Sequence, residues 1–153
     1  MVIDLSKTDP DGFADEDRPK LADPMSMVIT EVSIADVSAG ASAHSRYPGK
    51  FKAFTEDKIL SYFKDMGVTH LQIMPSYDFA SIDESDSLKE QYNWGYDPYN
   101  YNVPEGSYST DPFNGAVRVR EYKEMVHSIH EAGLGVIMDV GYNPTFNVPD
   151  RRF

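Results

Sequence analysis

Two stretches of the chain share one order of hydrophobic and polar positions, in which an amphipathic segment is followed by a glycine and then by a short apolar run. In the first stretch four apolar positions recur at helical spacing: Ile59, Leu60, Phe63 and Met66. Thr55 is the expected N-cap of this helix, and Gly67 is the residue expected to end it. The apolar run 68–75 follows immediately and predicts a strand.

The second stretch, at 116–140, predicts the same pair of elements. Its helical stripe consists of four residues: Tyr122, Met125, Val126 and Ile129. We expect this helix to begin near Ala116 and to end at Gly133, ahead of a strand at 136–140. A further apolar segment at 28–34 predicts a strand before both helices. The order strand, helix, strand, helix, strand is typical of an α/β fold, so we expect three parallel strands joined by right-handed connections.

Polar segments account for the rest of the chain. Residues 1–25 are dense in proline, glycine and aspartate, which interrupt helices and sheets, and they predict an extended leader. The main body is expected to begin at residue 26. Between the second strand and the second helix lies a βα loop of roughly 40 residues, 76–115. A loop of that length without structure of its own is normally either functional or a sign that the element assignment is wrong.

The charge balance narrows the range of partners. The chain has 153 residues, with 25 acidic against 14 basic side chains and a formal net charge of −11. Nucleic acid and anionic membranes are therefore not expected as partners. The absence of cysteine excludes disulfides and thiolate metal sites. No apolar run reaches the ~20 residues of a membrane span, and the first residues lack a signal-peptide pattern. The cellular location stays open.

The segment 92–104 carries the densest candidate chemistry. Aromatic rings alternate there with amide and carboxylate side chains. This combination suits a neutral sugar, whose CH faces stack on rings while its hydroxyls meet polar groups. The alternative is that the rings fill space beneath a long loop. Composition alone leaves both interpretations open.

Three segments carry a resemblance to a known family. Residues 92–98 read YNWGYDP and are followed by YNVPEGSY at 101–108, and residues 139–146 read DVGYNPTF. The first two closely resemble the signature stretch of type I pullulanases, in glycoside hydrolase family 13. The third is similar to the first conserved region of that family, normally DVVYNHTF. The resemblance implies a (β/α)8 barrel that hydrolyses α-1,6 branch linkages of pullulan, starch or glycogen with retention of configuration.

The resemblance also implies which residues contact substrate. Tyr96 matches the tyrosine that stacks on the glucose ring at the cleavage subsite, and Asp97 follows it in the motif. Asp139 and Asn143 match first-region residues at a strand end. Trp94 is expected to join Tyr96 in a stacking platform for branched α-glucan.

The same comparison leaves the catalytic carboxylates unassigned. The family's nucleophile, its acid/base and a third supporting carboxylate lie on the fourth, fifth and seventh strands of the barrel, and no residue of this chain matches them. We therefore expect 26–153 to be a truncated N-terminal portion of a TIM barrel, with three parallel strands, two helices and a long βα loop, and to be inactive alone. Gly141 and Pro144 replace a valine and a sugar-binding histidine of the family pattern, which predicts a weakened cleavage subsite.

Two alternatives stay beside this interpretation. The chain could be a non-catalytic α-glucan-binding module, or one piece of a split barrel completed by a partner chain. For the truncated barrel portion taken alone, unpaired sheet edges are expected to favour self-association. Metal candidates are weak: His127 and His130 at i and i+3, and the acidic cluster 83–86. Solvated surface is the simpler interpretation of both, so neither a metal nor a cofactor is expected.

Overall fold

A computed structural model describes residues 2–86 and 91–142. The strands are β1 (Ile29–Val32), β2 (His70–Ile73), β3 (Tyr77–Phe79), β4 (Pro98–Pro104) and β5 (Gly135–Met138). The α-helices are α1 (Ile34–Ala39), α2 (Asp57–Asp65) and α3 (Gly115–Glu131). None of these helices is long and apolar enough to cross a membrane.

The main sheet has the strand order β1-β2-β5 and is entirely parallel. This confirms the three parallel strands and the two connecting helices, α2 and α3. Both connections step across the sheet in the same direction. Right-handed connections of that kind place their helices on one face of the sheet.

One hydrophobic core lies between that face and the helices. Leu71 and Ile73 of β2 are fully buried, as are Met125 and Ile129 of α3. The alternate residues of β2, His70 and Gln72, point to the opposite face and are only partly buried, because successive strand side chains alternate in direction. The opposite face is therefore the more polar of the two.

The helix ends match the prediction, whereas the start of α2 and the bounds of the strands differ: the runs 68–75 and 136–140 form the shorter strands β2 and β5. Both helices end before a glycine with positive φ, +76° at Gly67 and +82° at Gly133, as predicted. The N-cap of α2 is Glu56, however, and Thr55 instead lies in a 3-10 turn and donates its hydroxyl to the Lys52 carbonyl at 2.8 Å.

The first strand is shorter than predicted and leads into an unpredicted helix. The backbone turns into α1 at Ile34, which the apolar run 28–34 had placed in the strand. The Ser33 hydroxyl accepts the Asp36 N–H at 3.3 Å and caps the new helix. A serine cap outweighs the apolar pattern here, because it satisfies an N–H group that the helix start leaves free.

The long βα loop has structure of its own. Its strands β3 and β4 form an antiparallel pair, with Phe79 opposite Pro98 and Tyr77 opposite Pro104. At its base Glu105 is fully buried and accepts the N–H groups of Phe79 at 3.0 Å and Ser107 at 2.8 Å. The element assignment had missed these two strands, because long-range pairing of this kind leaves little local signal.

Residues 2–26 contain three 3-10 turns, Leu5–Thr8, Phe13–Asp15 and Pro24–Ser26. The Glu16 carboxylate meets Nδ1 of His127 and Nδ1 of His130, both at 2.8 Å. Lys123 donates to the Leu5 carbonyl at 2.9 Å. The two histidines thus anchor this segment to α3.

Candidate functional site

The candidate site lies where the strands of the parallel sheet end. Asp139 directly follows β5, and its N–H donates to the carbonyl of Ile73, the last residue of β2, at 2.9 Å. The Tyr96 hydroxyl donates to Oδ2 of Asp139 at 2.6 Å. Two residues predicted to bind substrate are thereby brought into contact, although 43 positions separate them in the sequence. In parallel α/β folds, ligands bind at this carboxyl edge.

The Tyr96 ring remains accessible beside this contact, with 42% of the residue exposed. Its hydrogen bond to Asp139, together with partial burial and the nearby charges of Asp139 and Glu31, raises the pKa of Tyr96 to about 12. The hydroxyl therefore stays protonated near neutral pH and keeps donating to the carboxylate. An uncharged ring with an accessible face is suited to stacking on an uncharged sugar.

Three further tyrosines lie at the same edge, and the sequence interpretation did not name them as site residues. The Tyr77 ring lies 5.8 Å from that of Tyr101, which lies 5.4 Å from that of Tyr142. The Tyr142 hydroxyl donates to Asn102 at 3.0 Å, and the Tyr77 hydroxyl to the Gly141 carbonyl at 3.3 Å. Tyr101 and Tyr142 lie inside the two quoted motifs, which is the signal that could have indicated them.

Asp97 has a different environment from Tyr96. Its Oδ1 accepts the Asn93 amide at 2.7 Å, and its Oδ2 accepts the Ser81 N–H at 3.1 Å. Asn93 in turn accepts the Gly95 N–H at 2.7 Å. Both carboxylate oxygens of Asp97 thus hold the loop that carries Tyr96.

Gly95 packs this loop against the end of β2. Its φ is +89°, a backbone conformation that residues other than glycine rarely adopt. A Cβ at this position would lie 2.3 Å from the Pro75 carbonyl oxygen and 3.0 Å from the Pro75 Cβ. The glycine is required both by the backbone angle and by the close approach, and it sets the position of the neighbouring Tyr96.

Trp94 lies on the same turn and is 62% exposed. The neighbouring Tyr92 hydroxyl donates to Oδ2 of Asp36 in α1 at 2.8 Å, which ties the turn to a second element. Trp94 therefore presents an indole at the surface from a well-anchored segment. The last predicted substrate contact, Asn143, lies outside the described residues, as does Pro144.

A cluster of three carboxylates lies behind the β3–β4 pair. Ligand oxygens of Asp78, Glu84 and Glu105 come within 4.8 Å of one another, a spacing that could hold a cation. Arg118 reaches into the cluster and pairs with Asp78 at 3.1 Å and with Glu84 at 2.5 Å. Its guanidinium already supplies positive charge there. Burial still raises the pKa of Glu105 and of Glu84.

Comparison with known proteins shows similarity to pullulanases. No family model matches the chain. A pullulanase from Bacillus subtilis (strain 168) is 37% identical over 139 residues, which is 85% of this chain and 19% of the relative. A chloroplastic pullulanase from Arabidopsis thaliana is 31% identical over 174 residues, covering 92% of this chain and 18% of the relative.

Solved structures agree with the sequence relatives. A pullulanase from Paenibacillus barengoltzii, in complex with maltohexaose and α-cyclodextrin, superimposes with a TM-score of 0.91 at 43% identity, covering 95% of this chain and 24% of the other. The chain thus spans about a fifth to a quarter of the lengths of these proteins. By sequence and by fold, the chain is a pullulanase-type fragment that corresponds to one part of these longer proteins.

Proposed function

We propose that these residues form the first three strands of a (β/α)8 barrel and that their carboxyl edge is one wall of an α-glucan site. The parent activity is hydrolysis of α-1,6 branch linkages in pullulan, starch or glycogen. Residues 1–25 are the leader to this barrel, and 26–153 are its N-terminal portion. The observation that carries the proposal is the Tyr96–Asp139 contact, at 2.6 Å, at the edge where barrel enzymes bind their substrates.

Strand order supports a barrel over a doubly wound sheet. A doubly wound sheet reverses its strand order and is covered by helices on both faces. Here β1, β2 and β5 follow one another without reversal. The face opposite the core carries Glu31, whose carboxylate accepts from the Gln72 amide at 3.3 Å. Such polar pairs are suited to the interior of a barrel near its active-site end.

The site chemistry fits a neutral hexose better than a charged ligand. Tyr96 and Trp94 offer accessible ring faces, on which the CH face of a sugar stacks. Asp139 accepts hydrogen bonds, as sugar hydroxyls require. A net charge of −11 disfavours phosphorylated substrates. These features are consistent with the maltooligosaccharide in the Paenibacillus barengoltzii complex.

Hydrolysis requires more than this wall. A retaining glycosidase places two carboxyl groups about 5–5.5 Å apart across the scissile bond. The proposal assigns those groups to later strands of the barrel, so the 153 residues alone bind glucan without cleaving it. Within this division of labour, Tyr96 and Asp139 position the sugar, while Asp97 and Gly95 hold the loop that carries Tyr96.

The single tryptophan of the chain, Trp94, provides a direct test. Maltotriose is titrated into the 153-residue chain while the fluorescence of Trp94 is followed. We expect a saturable change, and we expect Tyr96→Ala to weaken binding about tenfold, because the ring face is lost. Tyr99→Ala is the matched control, since Tyr99 is also exposed but lines a different cavity, beside Ile3 and Val119.

Two results would contradict the proposal. Unchanged Trp94 fluorescence at millimolar maltotriose would show that the chain has no glucan site near Trp94. Release of reducing sugar from pullulan by the purified 153-residue chain would refute the assignment of the hydrolytic carboxylates to other strands.

The sheet edges favour assembly with further strands. Within the described residues β1 and β5 each pair on one side only, and Ile29 and Met138 on these strands are exposed. Unpaired parallel edges promote association. We expect the chain to self-associate in sedimentation experiments.

We also expect it to recover pullulan hydrolysis when mixed with a chain that supplies strands four to eight; inactivity after demonstrated association would rule out the split-barrel interpretation.

A further inference from the structure

Strand β4 bulges where it runs beside the carboxyl edge of the parallel sheet. Tyr77 of β3 lies opposite Pro104, but the next residue of β3, Asp78, lies opposite Asn100. Residues 101–103 therefore form a bulge between these two pairs. A bulge bends its strand and re-aims the side chains that it carries, and bulges are common beside active sites. In this chain the bulge contacts the segment that follows β5.

The middle residue of the bulge, Asn102, has an uncommon backbone conformation. Its φ is +59°, in the left-handed region, which most residues avoid and which asparagine tolerates better than most. In this conformation its Oδ1 accepts the Tyr142 hydroxyl at 3.0 Å. The neighbouring Tyr101 hydroxyl donates to the Tyr142 carbonyl at 3.4 Å. The bulge thus holds Tyr142 both by its side chain and by its backbone, and strained residues of this kind cluster at functional sites.

Tyr77 holds the residue that precedes Tyr142. Its hydroxyl donates to the Gly141 carbonyl at 3.3 Å and accepts the Gly141 N–H at 3.4 Å. Tyr77 is only 2% exposed, and its ring lies 5.8 Å from that of Tyr101, so the hydroxyl is presented from a fixed position. Gly141 has no Cβ and would otherwise have the widest range of backbone conformations in this segment. Together with Tyr101 and Asn102, Tyr77 forms a clamp on residues 141 and 142.

The clamped segment begins at a residue of the candidate site. Asp139 lies two positions before Gly141, and its carboxylate accepts the Tyr96 hydroxyl at 2.6 Å. The Asp139 N–H donates to the Ile73 carbonyl at 2.9 Å, which fixes one end of the segment. The clamp fixes the other end. A carboxylate that is held in this way before sugar arrives avoids the entropic cost of being ordered on binding.

We propose that Tyr77 and Asn102 are positioning residues for the glucan site: by fixing the segment after β5, they hold the Asp139 carboxylate in the orientation that binds a sugar hydroxyl. The inference rests on the proposed function, because it assigns a role within that same site. Removal of one contact of the clamp should therefore loosen Asp139 and weaken sugar binding, while the rest of the fold is kept.

Four variants separate a positioning role from a general structural one. Asn102→Gly removes the acceptor for Tyr142 but accommodates a positive φ without strain. Asn102→Asp keeps an acceptor oxygen and also tolerates a positive φ, so it is the conservative replacement at this position. Tyr77→Phe removes one hydroxyl and keeps the ring that packs beside Tyr101. Tyr99→Phe removes a hydroxyl from an exposed tyrosine outside the clamp and is the matched control.

Two measurements are made on the 153-residue parent chain and on each variant. Amide hydrogen exchange at Asp139 and Gly141 reports how firmly the segment after β5 is held, and exchange at the amides of α3 reports on the rest of the fold. Maltotriose is then titrated while the fluorescence of Trp94 is followed.

We expect Asn102→Gly and Tyr77→Phe to speed exchange at Asp139 and each to weaken maltotriose binding about fivefold, as loss of one hydrogen bond implies. Exchange in α3 should stay as in the parent. Asn102→Asp should retain most of the affinity that Asn102→Gly loses. Tyr99→Phe should match the parent in both measurements.

The outcomes separate this inference from the proposed function. Unchanged exchange at Asp139 in both Asn102→Gly and Tyr77→Phe overturns the inference, whether or not maltotriose binds. Faster exchange at Asp139 with unchanged affinity overturns the role in sugar binding, and equally faster exchange throughout α3 would reveal a general structural role instead. If the parent chain binds no maltotriose, the proposed function fails together with the role assigned to the clamp, while exchange at Asp139 still decides whether the clamp holds the segment.

Discussion

Replacing Gly95 by alanine tests how the aromatic loop is set against the sheet. The new Cβ would lie 2.3 Å from the Pro75 carbonyl oxygen, closer than any real Cβ contact, and the obstacle is backbone that cannot rotate away. The residue also sits at φ +89°. A positive φ costs an L-residue about 1–2 kcal/mol, and forcing extra volume into a packed site costs about 1–3 kcal/mol more.

These costs are relieved if the loop moves away from Pro75. Tyr96 follows Gly95 directly, so such a movement pulls its hydroxyl from Asp139. A hydrogen bond to a charged group contributes about 1.5–3 kcal/mol, and about 1.4 kcal/mol corresponds to a tenfold change in affinity. We therefore expect Gly95→Ala to weaken maltotriose binding by up to about tenfold, the effect expected when the Tyr96 ring is removed altogether. The free energy of unfolding should fall by less than the sum of the two costs, because movement of the loop relieves part of them.

Gly67→Ala provides the matched control. Its φ is +76°, close to that of Gly95, but a Cβ there would meet no atom within 4 Å. Both variants therefore carry the cost of a positive φ, but only Gly95→Ala brings the new Cβ against Pro75. Urea unfolding should show a loss of about 1–2 kcal/mol for Gly67→Ala, with unchanged affinity in the Trp94 titration. The reasoning fails if Gly95→Ala binds maltotriose like the parent, or if Gly67→Ala loses equal affinity.

Three further predictions follow from the contacts of single groups. Tyr96→Phe removes the donor to Asp139 and should weaken maltotriose binding about threefold to tenfold; an affinity equal to that of the Tyr99→Phe control would contradict this. Burial alone would raise the pKa of Glu16, but hydrogen bonds and charge from two α3 histidines outweigh it and lower that pKa below 4.5. Glu16 therefore stabilises the fold above pH 4.5, and this stabilisation is lost as the pH falls through its lowered pKa. In urea unfolding, the free energy by which the parent chain is more stable than Glu16→Gln should shrink between pH 7 and about pH 3. A difference that stays constant over this range would refute the prediction. Glu105→Gln leaves one of two backbone N–H groups without an acceptor and should cost about 1–3 kcal/mol in unfolding free energy, whereas an unchanged midpoint would show that the amide serves equally well.

Much of the secondary structure was accessible from local pattern. The stripe ending at Met66 and the glycine after it predict the end of α2 correctly, and the same holds for α3 and Gly133. These signals depend on residues a few positions apart. The parallel order of three strands also follows, because helical connections between strands leave few alternatives.

The helix α1 and the β3–β4 pair were missed for different reasons. The first depends on one serine hydroxyl at a strand end, which overrides an apolar run that reads as strand. The second pairs Phe79 with Pro98 across an intervening segment, so its stability comes from contacts that no short window of sequence contains. Motif resemblance pointed to Tyr96 and Asp139 separately but not to their contact.

The sequence by itself determined the alternation of helices and strands, the family resemblance and the residue types available for sugar binding, because each resides in short runs of residues. Only the tertiary structure decided which of those residues meet. It joins Tyr96 to Asp139 across 43 positions, Tyr92 to Asp36 across 56, and Glu16 to His130 across 114. Such contacts depend on how packed elements bring distant parts of the backbone together. At Gly95 the chain passes too close to Pro75 for a methyl group, and this close approach sets the position of Tyr96.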